Sequence, residues 1–212
     1  MTPGDLARRI LGPLTDPVAR LYRSYFVDLE SFAGKLAPLE RVSSVLEIGC
    51  GDGHLCQALA DTFPDADILG IDIAADPGAL YRGRKQGVRF LQITAEELAG
   101  DHEGEFDLVV LCDVLHHVPL EEREALMSTA RRLAAPGGHL AVKDWVSSRN
   151  LATGLAYLSD RFITGDRPRF FTTDSELSGL VVADSMSLIA GGSVPPKRNN
   201  RFVVTQKPLV SA

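Results

Sequence analysis

Three glycines stand two residues apart, at Gly49, Gly51 and Gly53, behind a short apolar run typical of a buried strand. Without a Cβ atom at these positions, a ligand can lie directly against the backbone. A dinucleotide-binding turn has its third glycine three places after the second, where this chain has His54. The carboxylate of Glu47, just before the loop, would repel a pyrophosphate but suit an ammonium or sulfonium group. We therefore expect a cationic nucleoside here, with an ordinary strand-to-helix turn as the alternative.

A carboxylate follows the next apolar run. Asp72 comes nineteen residues after Gly53, behind the residues Ile68–Ile71. At the carboxyl end of a buried strand, such a carboxylate can accept hydrogen bonds from both hydroxyls of a ribose. Nicotinamide enzymes share this feature, and a cap on the following segment would use the same residue type. We expect Asp72 and its neighbour Ile73 to lie in a cofactor site.

Two adjacent histidines and a later aspartate are the candidates for acid–base chemistry. His116 and His117 follow the apolar run that ends at Cys112, and Asp144 ends a later run. A histidine near its ordinary pKa is a suitable general base for a hydroxyl or an amine. We therefore predict His116, His117 and Asp144 as catalytic residues. Two alternatives stay open: histidines that are only structural, and a metal site formed by Asp113, His117 and Asp144.

The elements that must position these residues follow from the hydrophobic pattern. Short apolar runs alternate with helical segments from Val42 onward, which predicts an α/β fold with a doubly wound, mostly parallel seven-stranded sheet. Ligands of such sheets bind at the carboxyl ends of the strands, where the candidates stand. Residues 1–40 form a helical N-terminal extension with one apolar face. After the first strand, the predicted helices are His54–Phe63, Ala79–Gln86 and Glu121–Ala134, and the predicted strands are Ile68–Ile73, Val88–Ile93, Phe106–Cys112, Gly138–Asp144, Leu180–Ile189 and Arg201–Gln206.

The run Glu47-Ile48-Gly49-Cys50-Gly51-Asp52-Gly53 resembles motif I of the class I S-adenosylmethionine-dependent methyltransferases. Phe106-Asp107, the Leu-His-His-Val at 115–118 and the Pro-Gly-Gly at 136–138 are similar to the later motifs of that family. The resemblance covers residues 42–145. It implies a Rossmann-like methyltransferase fold, S-adenosyl-L-methionine as the cofactor, and methyl transfer by in-line displacement.

The resemblance also implies a set of cofactor-binding residues. Thr94 departs from the family pattern, which has an acid there, and the segment from Thr94 to Glu97 also has the pattern of a helix N-cap. The adjacent acid–amide pair of metal-dependent catechol methyltransferases is missing after Asp144, so we predict no metal. The predicted cofactor-binding residues are Glu47, Gly49, Cys50, Gly51, Gly53, Asp72, Ile73, Thr94, Ala95, Glu96, Cys112 and Asp113.

The substrate side is expected in the N-terminal extension and in an insertion at residues 146–176. The insertion is rich in aromatic side chains and arginines, which suits an aromatic or aliphatic substrate with an anionic group. Packing of the aromatics in the core, with solvated arginines, is the alternative. The predicted substrate-binding residues are Tyr22, Tyr25, Trp145, Tyr157, Arg161 and Arg169.

Composition limits the partners. The chain has 212 residues, enough for one domain over 1–212, with a cofactor-binding core at 42–145 and C-terminal strands at 177–212. A formal net charge of −6 disfavours a nucleic-acid partner. Three cysteines without C-x-x-C spacing indicate neither disulfides nor zinc. Neither a membrane-spanning run nor a signal-peptide core is evident, so we expect no integral membrane contact and a cytoplasmic protein. A homodimer is possible.

The sequence thus favours a small-molecule methyltransferase, with oxygen slightly ahead of nitrogen or carbon as the acceptor atom. The other hypotheses are a protein or tRNA methyltransferase, a catalytically silent S-adenosylmethionine-binding partner subunit, and a nicotinamide oxidoreductase. The G-x-G-x-G spacing disfavours the last of these.

Overall fold

The computed structural model describes residues 28–146, 170–183, 186–195 and 199–209. Within these ranges, seven strands form one sheet in the order β3-β2-β1-β4-β5-β7-β6, and β7 alone runs antiparallel to its neighbours. The predicted doubly wound, mostly parallel sheet is confirmed. The helices are α1 Leu29–Leu36, α2 His54–Thr62, α3 Ala95–Ala99, α4 Leu120–Leu133 and α5 Asp174–Val181; the strands are β1 Ser44–Ile48, β2 Asp67–Asp72, β3 Val88–Gln92, β4 Phe106–Cys112, β5 Ala134–Trp145, β6 Ser187–Ser193 and β7 Asn200–Gln206.

Each face of the sheet carries its own hydrophobic core, because successive strand residues point to opposite faces. Leu46 and Ile48 of β1 belong to the core covered by α3, α4 and α5, whereas Val45 belongs to the core covered by α1 and α2. The central strands are therefore almost continuously apolar, as expected for a parallel sheet buried on both sides. No helix in the described part of the chain is long and apolar enough to cross a membrane.

The topology creates one crevice at the carboxyl edge of the sheet. In the sheet, β2 and β3 lie on one side of β1, and β4 and β5 lie on the other side. Loops that leave β1 and β4 therefore diverge to opposite faces and leave space between them. The predicted glycine loop follows β1, and the predicted histidines follow β4.

The predicted helix Ala79–Gln86 is wrong. The structure has a turn and irregular backbone there, and the backbone of Leu80 and of the preceding Gly78 bonds to the glycine loop. The Gly78 N–H donates to the Gly51 carbonyl at 2.8 Å, and the Leu80 N–H donates to the Asp52 carbonyl at 3.0 Å. Gly78 has φ +76°, and a Cβ atom there would lie 2.5 Å from the Phe90 ring. Tertiary contacts thus override the local helix propensity.

The predicted strand Leu180–Ile189 is wrong in its first half. Leu180 lies in α5, and β6 begins only at Ser187. Thr173 is the N-cap of this helix, and its hydroxyl accepts a hydrogen bond from the Glu176 N–H at 3.1 Å. A Thr-x-x-Glu spacing of this kind is a helix-start signal. β5 also begins earlier than predicted, at Ala134, and continues through the Pro-Gly-Gly segment.

Candidate active site at the carboxyl edge of the sheet

The glycine loop leaves an open backbone surface. Gly49, Gly51 and Gly53 have φ values of +76°, +48° and +83°, a region that side chains rarely adopt. A Cβ atom on Gly49 would lie 2.5 Å from Val114, but one on Gly51 would have nothing within 4 Å. The loop is fixed to β2, since the Gly49 and Cys50 N–H groups both donate to the Ile71 carbonyl at 2.8 and 3.0 Å. Gly51 therefore faces space that a ligand can fill.

Asp72 lies against this loop, at the end of β2. Its carboxylate accepts hydrogen bonds from the Gly51 N–H at 2.7 Å and the Ala74 N–H at 2.8 Å. A carboxylate has about four acceptor positions, so two bonds leave capacity for ligand hydroxyls. Next to it, Ile73 is 75% exposed, which is unusual for a large apolar side chain. The structure thus brings together Gly51, Asp72 and Ile73, as the sequence predicted. Their chemistry fits a sugar diol attached to a flat base.

Glu47 is buried beneath the loop, which changes the expected role of its charge. The side chain is 2% exposed, and burial, assisted by the charge of Asp72, raises its pKa to about 8. Hydrogen bonds from Cys56 offset only part of this rise. A raised pKa of this kind favours the protonated carboxyl group in the free protein, so selection of a cation by the charge of Glu47 stays a prediction. Its Oε2 atom has no hydrogen-bond partner among the described residues.

Replacing Glu47 by glutamine should make the protein less sensitive to alkaline pH. The folded-state pKa of about 8 exceeds the ordinary 4.5, so folding takes up a proton between these values and stability falls as pH rises through that window. Between pH 5 and pH 8, we expect wild type to lose about 2 to 4 kcal/mol of unfolding free energy relative to Glu47→Gln. Urea denaturation at both pH values measures this. Glu30→Gln, at an exposed position of α1, is the control, and parallel pH profiles for wild type and Glu47→Gln would contradict the prediction.

His116 and Asp144 form a buried hydrogen-bonded pair. A short 3-10 turn, Leu115–His117, follows β4 and places His116, which is 3% exposed, beside the end of β5. The His116 Nδ1 atom lies 2.7 Å from one Asp144 oxygen, and the His116 backbone N–H donates to the other at 3.2 Å. The Nε2 atom lies on the opposite side of the ring. Asp144 therefore orients the imidazole, as a carboxylate does behind a general base.

The charge of Asp144 is stabilised in place. Burial alone would raise the pKa of this fully buried carboxyl, but the His116 ring, the Trp145 N–H and Lys143 hold the pKa below its usual range. The Trp145 N–H donates to Asp144 at 2.6 Å. Asp144 therefore stays ionised beside the imidazole.

Aromatic rings surround the imidazole. The His117 ring centroid lies 4.0 Å from that of His116, and the Phe170 centroid lies 5.5 Å from it. Phe170 also contacts Trp145, which is 5% exposed, at 6.5 Å between centroids. His117 itself is exposed. The structure thus places His116 beside a buried carboxylate, in an apolar and aromatic environment.

One carboxylate here, that of Asp113, is already paired with a cation. Ligand atoms of Asp113, His116 and Asp144 lie within 4.8 Å of one another, so His116, and not His117, belongs to the group that resembles a metal site. However, the Lys143 ammonium lies 2.7 and 2.8 Å from the two Asp113 oxygens. This ammonium supplies the positive charge that a divalent ion would bring. We therefore propose no metal for this site.

Other predicted residues take structural positions or lie outside the described ranges. The Thr94 hydroxyl caps α3 by accepting from the Glu97 N–H at 3.1 Å, and Ala95 is buried. Glu96 is directed to α4, where Thr129 donates to its carboxylate at 2.6 Å, and a cofactor contact from Glu96 stays a prediction. Burial raises the pKa of the Cys112 thiol, which makes it unreactive. Outside the described residues lie Tyr22, Tyr25, Tyr157, Arg161 and Arg169.

The sequence interpretation missed Lys143 and Phe170 as individual site residues. Lys143 is fully buried at the end of β5, in a run that is otherwise apolar. A lysine inside such a strand needs a carboxylate partner. This requirement could have indicated from the sequence that Lys143 pairs with a carboxylate of the site. Phe170 carried no comparable signal, because its neighbour Phe171 has the same side chain and lies in the core.

Comparison with known proteins agrees with this geometry. Residues 46–140 match a family model described as a methyltransferase domain. A ubiquinone biosynthesis O-methyltransferase of Acinetobacter baumannii is 35% identical over 101 residues, which is 45% of this chain and 41% of that protein. The enzyme of the same description from Methylococcus capsulatus is 41% identical over 97 residues, 44% of this chain and 39% of that protein. The chain thus spans about two fifths of the length of these curated relatives.

Solved structures share the fold over most of the chain. A 1,6-didemethyltoxoflavin-N1-methyltransferase of Burkholderia thailandensis, with 1,6-didemethyltoxoflavin and S-adenosylhomocysteine bound, is similar with a TM-score of 0.66 and 20% identity, over 98% of this chain and 91% of that one. A putative O-methyltransferase of Nostoc punctiforme has a TM-score of 0.67 and 21% identity, over 84% of this chain and 55% of that one.

Proposed function

We propose that the chain is a class I, S-adenosylmethionine-dependent methyltransferase, since residues 46–140 match a family model described as a methyltransferase domain. In this proposal it transfers a methyl group from S-adenosylmethionine to a small-molecule hydroxyl. The observation that carries the proposal is the open backbone at Gly51, next to Asp72 and the exposed Ile73 and near the His116–Asp144 pair. This arrangement combines a nucleoside-binding surface with a positioned base.

The cofactor fits the residues at the glycine loop. In this proposal, Asp72 accepts hydrogen bonds from the ribose hydroxyls, and Ile73 contacts the adenine. The backbone from Gly49 to Gly53, with that of Cys112 and Asp113, holds the methionine part. The bound cofactor supplies an electrophilic methyl group on a sulfonium. Correct alignment of the acceptor with that methyl contributes much of the rate in such a displacement.

We propose that His116 removes the proton of the acceptor hydroxyl. Asp144 bonds Nδ1 and leaves Nε2 as the atom that takes the proton, and the aspartate stabilises the imidazolium that forms. A base of this kind is needed for a hydroxyl, which supports oxygen over carbon as the acceptor atom. The curated relatives, both named O-methyltransferases, support the same choice. Nitrogen acceptors are the alternative.

The acceptor binds, in this proposal, beside Trp145 and Phe170. Phe170 lies against the His116 imidazole, and Trp145 lies against Phe170, so the two rings would bind an apolar or aromatic molecule. Contacts from Tyr22, Tyr25, Tyr157, Arg161 and Arg169 stay predictions. A small acceptor agrees better than RNA with a net charge of −6. The homodimer and the cytoplasmic location also stay predictions.

Asp72→Ala should weaken cofactor binding without unfolding the protein. Loss of charge-assisted hydrogen bonds from the ribose costs about 1 to 3 kcal/mol of binding free energy. Calorimetric titration with S-adenosylhomocysteine measures the change. Asp67→Ala, at the exposed amino end of the same strand, removes a carboxylate far from the site and should leave affinity unchanged. Equal affinities of wild type and Asp72→Ala for S-adenosylhomocysteine would show that Asp72 does not bind the ribose.

Incubation with methyl-labelled cofactor tests the proposed acceptor class. The purified chain is mixed with separate pools of metabolites, proteins and RNA, and the labelled product is identified. Label in a small molecule methylated on oxygen is the expected result. Label only in protein or RNA favours the macromolecular alternative, and a chain that binds the cofactor but labels none of the pools favours a silent partner subunit.

A further inference from the structure

Lys143 makes an unusual buried ion pair behind the site. Its side chain is fully buried, and the ammonium lies 2.7 and 2.8 Å from the two oxygens of Asp113 and 5.3 Å from the centroid of the Trp145 ring. The Asp113 side chain is 24% exposed, so water can solvate part of its charge, whereas the charge of the buried Lys143 depends on Asp113. Removing a buried ammonium from water is costly, and a pair of this kind is retained where it specifies a conformation.

The partner, Asp113, has a strained backbone. Its φ is +58°, in the left-handed region, which only a few other non-glycine residues adopt in the described ranges. Aspartate enters this region more readily than most residues when its short side chain finds a hydrogen bond. Here the side chain bonds to Lys143, and the Asp113 N–H also donates to the Lys143 carbonyl at 2.9 Å. Backbone and side chain of Asp113 are thus both attached to one residue of β5.

The direction of the chain after Asp113 determines two contacts of the site. Val114 packs against Gly49, so closely that a Cβ on the glycine would lie 2.5 Å from it. Two residues later, His116 reaches Asp144. Lys143 and Asp144 are consecutive in β5 and therefore extend to opposite faces of the sheet. Lys143 holds the start of the segment 113–117 through Asp113, and Asp144 holds the segment near its end through His116.

We propose that Lys143 is a positioning residue, which holds Asp113 in its left-handed conformation and thereby keeps the segment 113–117 against the glycine loop and His116 beside Asp144. The part of the test that measures cofactor affinity rests on the proposed function. The role is conformational: the ammonium contacts Asp113 and does not contact the reacting groups. A glycine at position 113, which adopts positive φ without a bonded side chain, should therefore make Lys143 dispensable.

The test compares Lys143→Met with the double variant Lys143→Met/Asp113→Gly. Methionine keeps the length of the side chain and removes its charge. In the free protein, hydrogen exchange of the amides at 113–118 should be faster in Lys143→Met and return to the wild-type rate in the double variant. Calorimetry with S-adenosylhomocysteine should show affinity roughly 5- to 30-fold weaker in the single variant, the factor that corresponds to the cost of a left-handed residue, with recovery in the double variant.

Each outcome decides the inference. Wild-type exchange and affinity in Lys143→Met would overturn it, as would a folded double variant that stays as impaired as the single one. If Lys143→Met does not fold, wild-type behaviour of the double variant supports the inference and impaired behaviour overturns it. Lys35→Met, at an exposed site in α1, controls for the loss of a lysine. If wild type itself does not bind S-adenosylhomocysteine, the proposed function fails, and the exchange rates still decide the role of Lys143.

Discussion

Replacing His116 by alanine should slow methyl transfer at saturating substrate by about 10²- to 10⁴-fold, the usual contribution of a positioned general base. The structure supports this because His116 is the histidine whose Nδ1 atom is bonded to the buried Asp144, at 2.7 Å. Cofactor affinity should change little, since His116 follows β4, whereas Asp72, the residue proposed to bind the ribose, ends β2. Single-turnover assays with the labelled acceptor measure the chemical step separately from binding.

His117→Ala is the matched control. It removes an imidazole from the next residue, at an exposed position, and it should leave the rate of the chemical step within a few-fold of wild type. Added imidazole should restore part of the rate of His116→Ala, which a structural role would not allow. Equal rates for wild type and His116→Ala would show that His116 is not the base.

Replacing Gly51 by alanine should abolish most cofactor binding while the fold persists. A Cβ atom at Gly51 meets no protein atom within 4 Å, so the added methyl group enters the space proposed for the cofactor. Overpacking of a fitted site costs about 1 to 3 kcal/mol, or roughly 5- to 150-fold in affinity. Calorimetry with S-adenosylhomocysteine and thermal unfolding should be measured on the same sample.

Gly104→Ala separates backbone strain from obstruction of the site. Gly104 has φ +71°, and its nearest atom to an added Cβ, on Pro136, lies 3.8 Å away, so alanine there has similar strain and a similar lack of clashes. Both variants should lose similar stability, and only Gly51→Ala should lose affinity. If Gly51→Ala binds the cofactor as wild type does, the glycine loop is not the binding surface.

Features that depend on local pattern were predictable from the sequence. The strand before Gly49, the carboxylate at Asp72 and the alternation of strands with helices all follow from residues close together in the chain. The bounds of β2, β3 and β4 agree with the predicted bounds within one residue. The resemblance to motif I located the glycine loop for the same reason: it depends on seven consecutive residues, Glu47 to Gly53.

Features that depend on register between distant residues were not predictable. The choice of His116 over His117 is made by Asp144, 28 residues away, because β5 ends beside the turn after β4. Similarly, residues 79–86 have helical composition, but the Leu80 N–H, like that of the preceding Gly78, donates to the glycine loop. The protonation of Glu47 depends on burial under that loop, which residue type alone does not indicate.

The central claim is that the glycine loop binds S-adenosylmethionine and not a dinucleotide. Calorimetric titration of the wild-type chain with S-adenosylmethionine, S-adenosylhomocysteine and NAD tests it most directly. We expect S-adenosylmethionine and S-adenosylhomocysteine to bind competitively at one site per chain, and we expect NAD to produce no binding heat. Binding of NAD without binding of either S-adenosyl compound would contradict it.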